Sequence, residues 1–190
     1  MKKLLFIVNN RAGKTRSRSP LYDAIACFSR SGYLVSVHET QGPGDATQTV
    51  HDHGALFDLI VCAGGDGTLN ETITGLMTLE ERPPLGYLPN GSTNDFAASL
   101  HIPANLVEAA LIASDGTPTP LDIGIHNDRY FAYVASFGAF TRSSYSVPQE
   151  TKNALGHFAY ILQGVKDLDS LRPYSCRVQA DEETFEGNFI

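Results

Sequence analysis

The run Ile60-Val61-Cys62-Ala63-Gly64-Gly65-Asp66-Gly67-Thr68-Leu69-Asn70-Glu71 limits what this chain can fold into more than any other stretch. Its apolar opening reads as a buried strand, and from Thr68 the spacing of Leu69, Ile73, Leu76 and Leu79 reads as a helix. Between them lie Gly64, Gly65 and Gly67 with a single carboxylate, Asp66. Glycine is needed where the main chain turns at positive φ, or where a ligand must approach the backbone closely. A strand, a glycine turn and a helix start make an anion site, because the unpaired N–H groups and the helix dipole share one direction. The stretch therefore predicts a phosphate cradle holding a carboxylate. The alternative is a tight βα turn with no ligand.

The same grammar recurs along the chain. Leu4 to Val8 reads as a strand followed by the loop Asn9-Asn10-Arg11-Ala12-Gly13-Lys14-Thr15. Gly13-Lys14-Thr15 imitates the end of a Walker A motif, but that motif needs glycine at position 8, which is Val8. Pro20 to Arg30 has the stripe Leu21, Ile25 and Phe28, with Gly32 as its stop. Tyr33 to Glu39 alternates as a strand with Tyr33, Val35 and Val37 on one side, and ends at Thr40. Gly42-Pro43-Gly44 breaks the chain, and Asp45 is the expected N-cap of a helix reaching about Ala55. His51 and His53, two apart on that helix, point in different directions and read as a solvated face rather than a metal pair.

Pro83-Pro84 is expected to end the central helix, and Leu85 to Leu88 forms the next strand. Pro89-Asn90-Gly91-Ser92-Thr93-Asn94-Asp95-Phe96 is a second glycine turn feeding a second helix, and a further helix follows from about Ala104 to Ala113. This alternation argues an α/β fold, an open and mostly parallel sheet with helices on both faces. In such sheets ligands lie beyond the carboxyl ends of the strands, where loops 9–15, 40–44, 64–68 and 89–95 all fall. We expect this nucleotide-binding α/β domain to occupy residues 1–120.

From Leu121 the texture changes. Leu121 to Ile125 and Tyr130 to Ser136 read as strands around a His126-Asn127-Asp128 turn, and a helix is expected from about Pro148 to Leu168. Cys176 to Ala180 and Thr184 to Ile190 read as two more strands joined through Asp181-Glu182-Glu183. Strand edges left uncovered are unusual in natural proteins. Residues 121–190 are therefore expected to open a β-rich second domain whose remainder is absent.

Composition narrows the function classes. The net charge of −7 conceals seven Lys/Arg against one Asp in residues 1–30, so the remaining chain carries −13. So acidic a body argues against a nucleic-acid partner. The local cluster Arg11, Lys14, Arg16 and Arg18 could instead meet a polyphosphate, or be a solvated loop. No stretch approaches the ~20 apolar residues of a membrane span. The opening Met1 to Val8 reads better as a first strand than as a leader, because its apolar run is short and no small-residue cleavage site follows. The three cysteines, Cys27, Cys62 and Cys176, are far apart and read as free thiols of a reducing cytoplasm.

Four of these motifs, in order, resemble the diacylglycerol kinase catalytic-domain family, which includes soluble bacterial diacylglycerol kinases and sphingosine kinases. GGDGT at 64–68 continuing into Asn70-Glu71 is similar to its nucleotide signature. Gly91 to Ala97 is similar to its second signature, with Ser92 where threonine is usual. Asn9 to Gly13 resembles its first loop, with Asn10 in place of proline. Asp122 lies in a Leu-Asp-Ile-Gly segment like the one that opens the family's second domain, and Tyr145 to Gly164 resembles the helical stretch of the soluble bacterial enzymes.

The resemblance implies a nucleotide cleft between an α/β domain and a β-sandwich domain. It implies that Asn9, Asn10, Arg11, Ala12, Gly13, Thr40, Gly64, Gly65, Asp66, Gly67, Thr68, Leu69, Asn70, Glu71 and Ser92 bind ATP. Asp66 and Asp122 would belong to the reaction centre, with Mg2+ bridging to the phosphates. The family's general base lies beyond residue 190, in an Asp-Gly-Glu segment. The implied partners are ATP, a lipid acceptor such as diacylglycerol, a transient membrane surface and a second copy in a homodimer. The implied location is cytoplasmic and peripheral at the membrane. The alternatives are an NAD kinase-like enzyme, which shares the glycine-aspartate turn, and a non-catalytic nucleotide-binding module. Leu69-Asn70-Glu71 and the 91–97 segment favour the lipid branch.

Overall fold

A computed structural model of the chain describes residues 1–9, 19–136, 172–180 and 182–189. The chain forms two compact units, Met1–Val134 and Ala135–Ile190. The expected loop over Asn10 to Thr15, the basic cluster Arg11, Lys14, Arg16 and Arg18, and the helix over 148–168 lie outside the described residues.

In the first unit, strands β1 (Lys2–Val8), β2 (Tyr33–Glu39), β3 (Leu59–Gly64) and β4 (Leu85–Pro89) form a parallel sheet in the order β2-β1-β3-β4. Helices α1 (Ser19–Arg30), α2 (Asp45–His53), α3 (Asp66–Leu76), α4 (Asp95–Ser99) and α5 (Leu106–Asp115) fill the crossovers and follow the last strand. Strand β1 is buried from Leu4 through Val8, and all of β3 is buried. Continuous apolar runs are what a sheet covered on both sides demands.

The period of two then sorts the side chains. Leu4, Phe6, Val8, Val61 and Ala63 face α1 and α5, meeting Ala24, Cys27, Phe28, Ala109 and Ala110. Leu5, Ile7 and Ile60 face the opposite way, onto Ala46 and Val50 of α2 and Leu76 of α3. Phe6 and Phe28 meet edge to face at 5.5 Å.

This strand order puts a topological switch between β1 and β3. The chain moves from β1 outward to β2, then returns to the other side of β1 to lay down β3. The register aligns Val8 with both Glu39 and Ala63, and Gly64 with Pro89, so the carboxyl ends of all four strands come level. A crevice opens at such a point because the neighbouring crossovers depart to opposite faces.

Four local details differ from the sequence reading. Helix α3 begins at Asp66 rather than Thr68, so Asp66 and Gly67 belong to its first turn. It also ends at Leu76, well before Pro83-Pro84, with Met77 as its C-cap. Gly44, at φ 84°, is the residue before α2, and Asp45 is the first helical residue. Only glycine takes that conformation at little steric cost, and it turns the Asp45 carboxylate back to accept from the Gln41 amide at 2.7 Å. The 121–136 segment pairs only as β5 (Gly124–His126) and β6 (Arg129–Phe131). Asn127 and Asp128, both at positive φ, close that hairpin in the manner such tight turns require.

In the second unit, β6's successors β7 (Tyr174–Ala180) and β8 (Glu183–Phe189) pair antiparallel, with Arg177 hydrogen-bonded to Glu186 across the ladder. Among the described residues, no helix is long and apolar enough to cross a membrane.

Candidate active site

The two glycine turns meet over the crevice. Gly65 joins β3 to α3, and Gly91 follows β4. A Cβ on Gly91 would lie 2.4 Å from the Gly65 Cα, and one on Gly65 would lie 3.2 Å from the Gly91 Cα. None of Gly64, Gly65 and Gly67 has positive φ. The demand for glycine here is therefore close approach, in this case of one backbone to another. Gly67 is different: a Cβ there would meet nothing within 4 Å among the described residues, so its α-carbon faces open space between them.

Asp66 fastens the two turns together. Its Oδ2 accepts from the Asp95 amide and its Oδ1 from the Phe96 amide, both at 3.2 Å. These are opening N–H groups of α4, which lack acceptors within their own helix. Asn94 precedes α4 at φ 56° without capping it through its side chain. Its Oδ1 instead accepts from the Gly91 amide at 2.8 Å, and its Nδ2 donates to the Gly91 carbonyl at 3.1 Å. A carboxylate from one turn thus fills the start of the helix that the other turn feeds.

Helix α3 is left with its start open. Its first-turn amides, on Asp66, Gly67 and Thr68, have no intrahelical acceptors, and Gly65 supplies no capping side chain. Asn9 closes the side toward β1. Its amide nitrogen bonds the Ala63 carbonyl at 2.9 Å, and its Nδ2 donates to Thr68 Oγ1 at 2.9 Å. Thr40 stands one strand further out, its amide donating to the Val8 carbonyl at 2.9 Å.

The sequence-derived site residues therefore separate into groups. Asn9, Gly64, Gly65, Asp66, Gly67 and Thr68 come together at the switch point, with Thr40 on its β2 flank. Leu69 is 1% exposed and packs with Cys62, Ile73, Tyr87 and Ala97, so its side chain belongs to the core. Asn70 turns toward the β5–β6 hairpin, where its Nδ2 donates to the Tyr130 carbonyl at 3.2 Å. The Glu71 carbonyl accepts from Thr47 Oγ1 of α2 at 2.8 Å. Ser92 is exposed in the second turn. Asp122 is exposed and no hydrogen bond joins it to Asp66 or to any other described residue. Asn10, Arg11, Ala12 and Gly13 lie outside the described residues.

Two polar residues of this region escaped the sequence reading. Tyr87, 5% exposed on β4, reaches the Gly64 carbonyl at 3.1 Å. Burial first, then the charge of Asp66, raises its phenol well above the ordinary tyrosine range. Its signal was a lone hydroxyl in the otherwise apolar strand Leu85-Gly86-Tyr87-Leu88. His38 at the end of β2 bonds Asp45 Oδ2 and Thr49 Oγ1, each at 3.0 Å. The Gln41 amide foremost, and His38 next, hold the Asp45 carboxyl below its usual range. Cys62, beneath the first turn, is pushed up by burial to about 12 and is inert as a nucleophile.

Among the described residues, no group of three His, Cys, Asp or Glu side chains could hold a metal by itself. The set that is present, one carboxylate beside open amides, suits an ion that takes most of its ligands from phosphate and water, as magnesium does. Each Asp66 oxygen accepts a single long amide bond and keeps capacity for a second partner.

Comparison with known proteins identifies the chain's relatives. The diacylglycerol kinase catalytic domain model matches residues 3–125. A diacylglycerol kinase of Bacillus subtilis (strain 168) is 40% identical over 192 residues, covering 100% of this chain and 63% of that protein. One from Staphylococcus epidermidis is 36% identical over 190 residues, covering 100% of this chain and 60% of the relative. The crystal structure of a diacylglycerol kinase from Bacillus anthracis str. Sterne superposes with a TM-score of 0.76 at 26% identity, over 98% of this chain and 61% of that one. The chain thus spans a little over three fifths of the length of such relatives. With its sheet order, paired glycine turns and matched residues, it belongs to the diacylglycerol kinase catalytic-domain family.

Proposed function

We propose that this chain supplies the nucleotide-binding part of an ATP-dependent lipid kinase, which moves the γ-phosphate of ATP to the hydroxyl of diacylglycerol or a similar lipid. The observation that carries the reading is the uncapped start of α3 beside Gly67, whose α-carbon faces open space. Backbone amides at a helix start, with no side chain in front of them, accept phosphate oxygens directly. Within this reading, residues 1–120 form the nucleotide-binding domain and 121–190 belong to the second domain. Asn9, Thr40, Gly64 to Thr68 and Ser92 surround the nucleotide, while Leu69, Asn70 and Glu71 shape the helix beneath it.

Phosphoryl transfer asks for positioning and charge neutralisation more than for covalent chemistry. Asp66 is held at the phosphate end by the α4 amides and would hold Mg2+, directly or through water. Bound there, magnesium neutralises phosphate charge. Asp122 serves as a further carboxylate of the reaction centre. The acceptor hydroxyl meets the γ-phosphate at a transient membrane surface.

The test is phosphate transfer from labelled ATP to diacylglycerol in mixed micelles. It compares this chain with one extended to the length of its relatives, alongside an NAD acceptor. Labelled phosphatidic acid from the extended chain is expected. Labelled NADP in its place would favour the NAD kinase reading, and ATP-dependent thermal stabilisation with no product for any acceptor would favour a non-catalytic module.

A further inference from the structure

We propose that Tyr87 is a positioning residue, whose hydroxyl couples the two glycine turns and aims the Gly65 amide into the crevice. The inference rests on the nucleotide reading for its purpose, though not for its geometry.

Tyr87 stands beneath both turns. Its hydroxyl lies 3.1 Å from the Gly64 carbonyl of the first and 3.4 Å from Asn94 Oδ1 of the second. Its ring meets the Phe96 ring of α4 at 6.2 Å and 64°, so the aromatic body is wedged against the same helix. Among the described residues no other side chain hydrogen-bonds to both the Gly64 carbonyl and Asn94.

The consequence follows from peptide geometry. In a trans peptide the C=O and the next N–H point to opposite sides of the chain. The Gly64 carbonyl is drawn down by Tyr87 and sideways by the Asn90 amide at 2.8 Å. The Gly65 N–H of the same peptide is therefore turned away from β4, toward the β1 side where the crevice opens.

A glycine-flanked peptide is free to rotate, so something outside it must fix its plane. Tyr87 and the Asn90 amide together are that fixture, and of the two only Tyr87 also reaches Asn94 of the second turn. The phenol has one proton for two acceptors, and both lie within reach. Either acceptor can hold it, so movement of one turn is felt by the other. Deep burial keeps the hydroxyl protonated, and so a donor, throughout the working pH range.

The experiment uses Tyr87→Phe, which removes one oxygen and leaves the ring, with Ile73→Val as a control from the same core cluster. Three quantities are read on the 190-residue chain: amide hydrogen exchange without nucleotide, thermal stability, and affinity for magnesium ATP. Tyr87→Phe is expected to speed exchange of amides in both 64–69 and 91–97 and to weaken ATP binding by about tenfold. Ile73→Val is expected to lower stability while leaving exchange in the two turns and ATP affinity unchanged.

Exchange rising at one turn only, or equally in the control, overturns the coupling. Should wild type bind no ATP, the nucleotide reading fails by itself, and exchange at the two turns still decides whether Tyr87 joins them.

Discussion

Replacing Gly67 with alanine separates stability from ligand binding at a single atom. Gly67 lies in the first turn of α3 without positive φ, and an added Cβ meets nothing within 4 Å among the described residues. Exchanging glycine for alanine in a compatible helical position stabilises by about 0.5–1 kcal/mol. For a domain of this size that raises Tm by roughly 1–4 °C. The same methyl group stands where a phosphate oxygen would approach. An oxygen ~2.9 Å from an amide nitrogen, displaced by ~1 Å, no longer makes a hydrogen bond. Losing one charge-assisted bond, about 1.5–3 kcal/mol, weakens binding about 10- to 150-fold.

Gly91→Ala is the companion measurement. Its Cβ would lie 2.4 Å from the Gly65 Cα, where carbon atoms normally stand ~3.5–4.0 Å apart. The turns must separate by ~1 Å, at an overpacking cost of about 1–3 kcal/mol. Differential scanning fluorimetry and isothermal titration with magnesium ATP read both effects. Tm should move in opposite directions for the two variants while ATP affinity falls in both. Gly67→Ala that binds ATP as tightly as wild type refutes the cradle, because phosphate oxygens would then rest elsewhere.

Three further outcomes are expected. Asp66→Asn keeps one carbonyl acceptor but sets an NH2 against an α4 amide, and should lower stability by about 1–2 kcal/mol in urea unfolding; an unchanged midpoint removes Asp66 as the fastening between the turns. Asp45 has its carboxyl lowered in the folded state, so its stabilising contribution is present above its unfolded value near 3.8 and is lost as pH falls through the lower folded value. Asp45→Asn should therefore flatten the acid limb of a stability–pH profile below about pH 4, and an unaltered limb counts against the Gln41–Asp45 bond. Asn105 caps α5 by accepting from the Val107 and Glu108 amides at 2.9 and 3.3 Å. Its replacement by alanine should cost about 1 kcal/mol by chemical denaturation, with ATP affinity untouched, since α5 packs on the face away from α3.

The parallel sheet was legible because its strands are short apolar runs and its helices carry striped faces, two periods that cannot be confused over such lengths. Tyr33 to Glu39 shows the reach of that logic, since its bounds match β2. Val37 shows its limit: alternation puts it with Tyr33 and Val35, yet it is 53% exposed, at the edge strand where little covers it. The gathering of loops at the strand ends followed from topology alone. What did not follow was how the two turns meet. Contact between Gly65 and Gly91, and the reach of Asp66 to the Asp95 and Phe96 amides, join residues far apart in sequence, and no local spacing encodes them. Asp45 was misplaced by one position because glycine and aspartate both suit a helix entry, and only the φ of Gly44 decides between them.

By seating the Asp66 carboxylate on α4, the fold neutralises one of two neighbouring helix entrances with an anion of its own. Of these two entrances α3 alone then keeps vacant donors, so on the nucleotide reading a multiply charged guest would find one berth there instead of two equivalent ones. The guest's direction along the crevice would then be set by the main chain, before any of its other groups is recognised. A site built this way would distinguish the front of its ligand from the back using atoms that every residue shares.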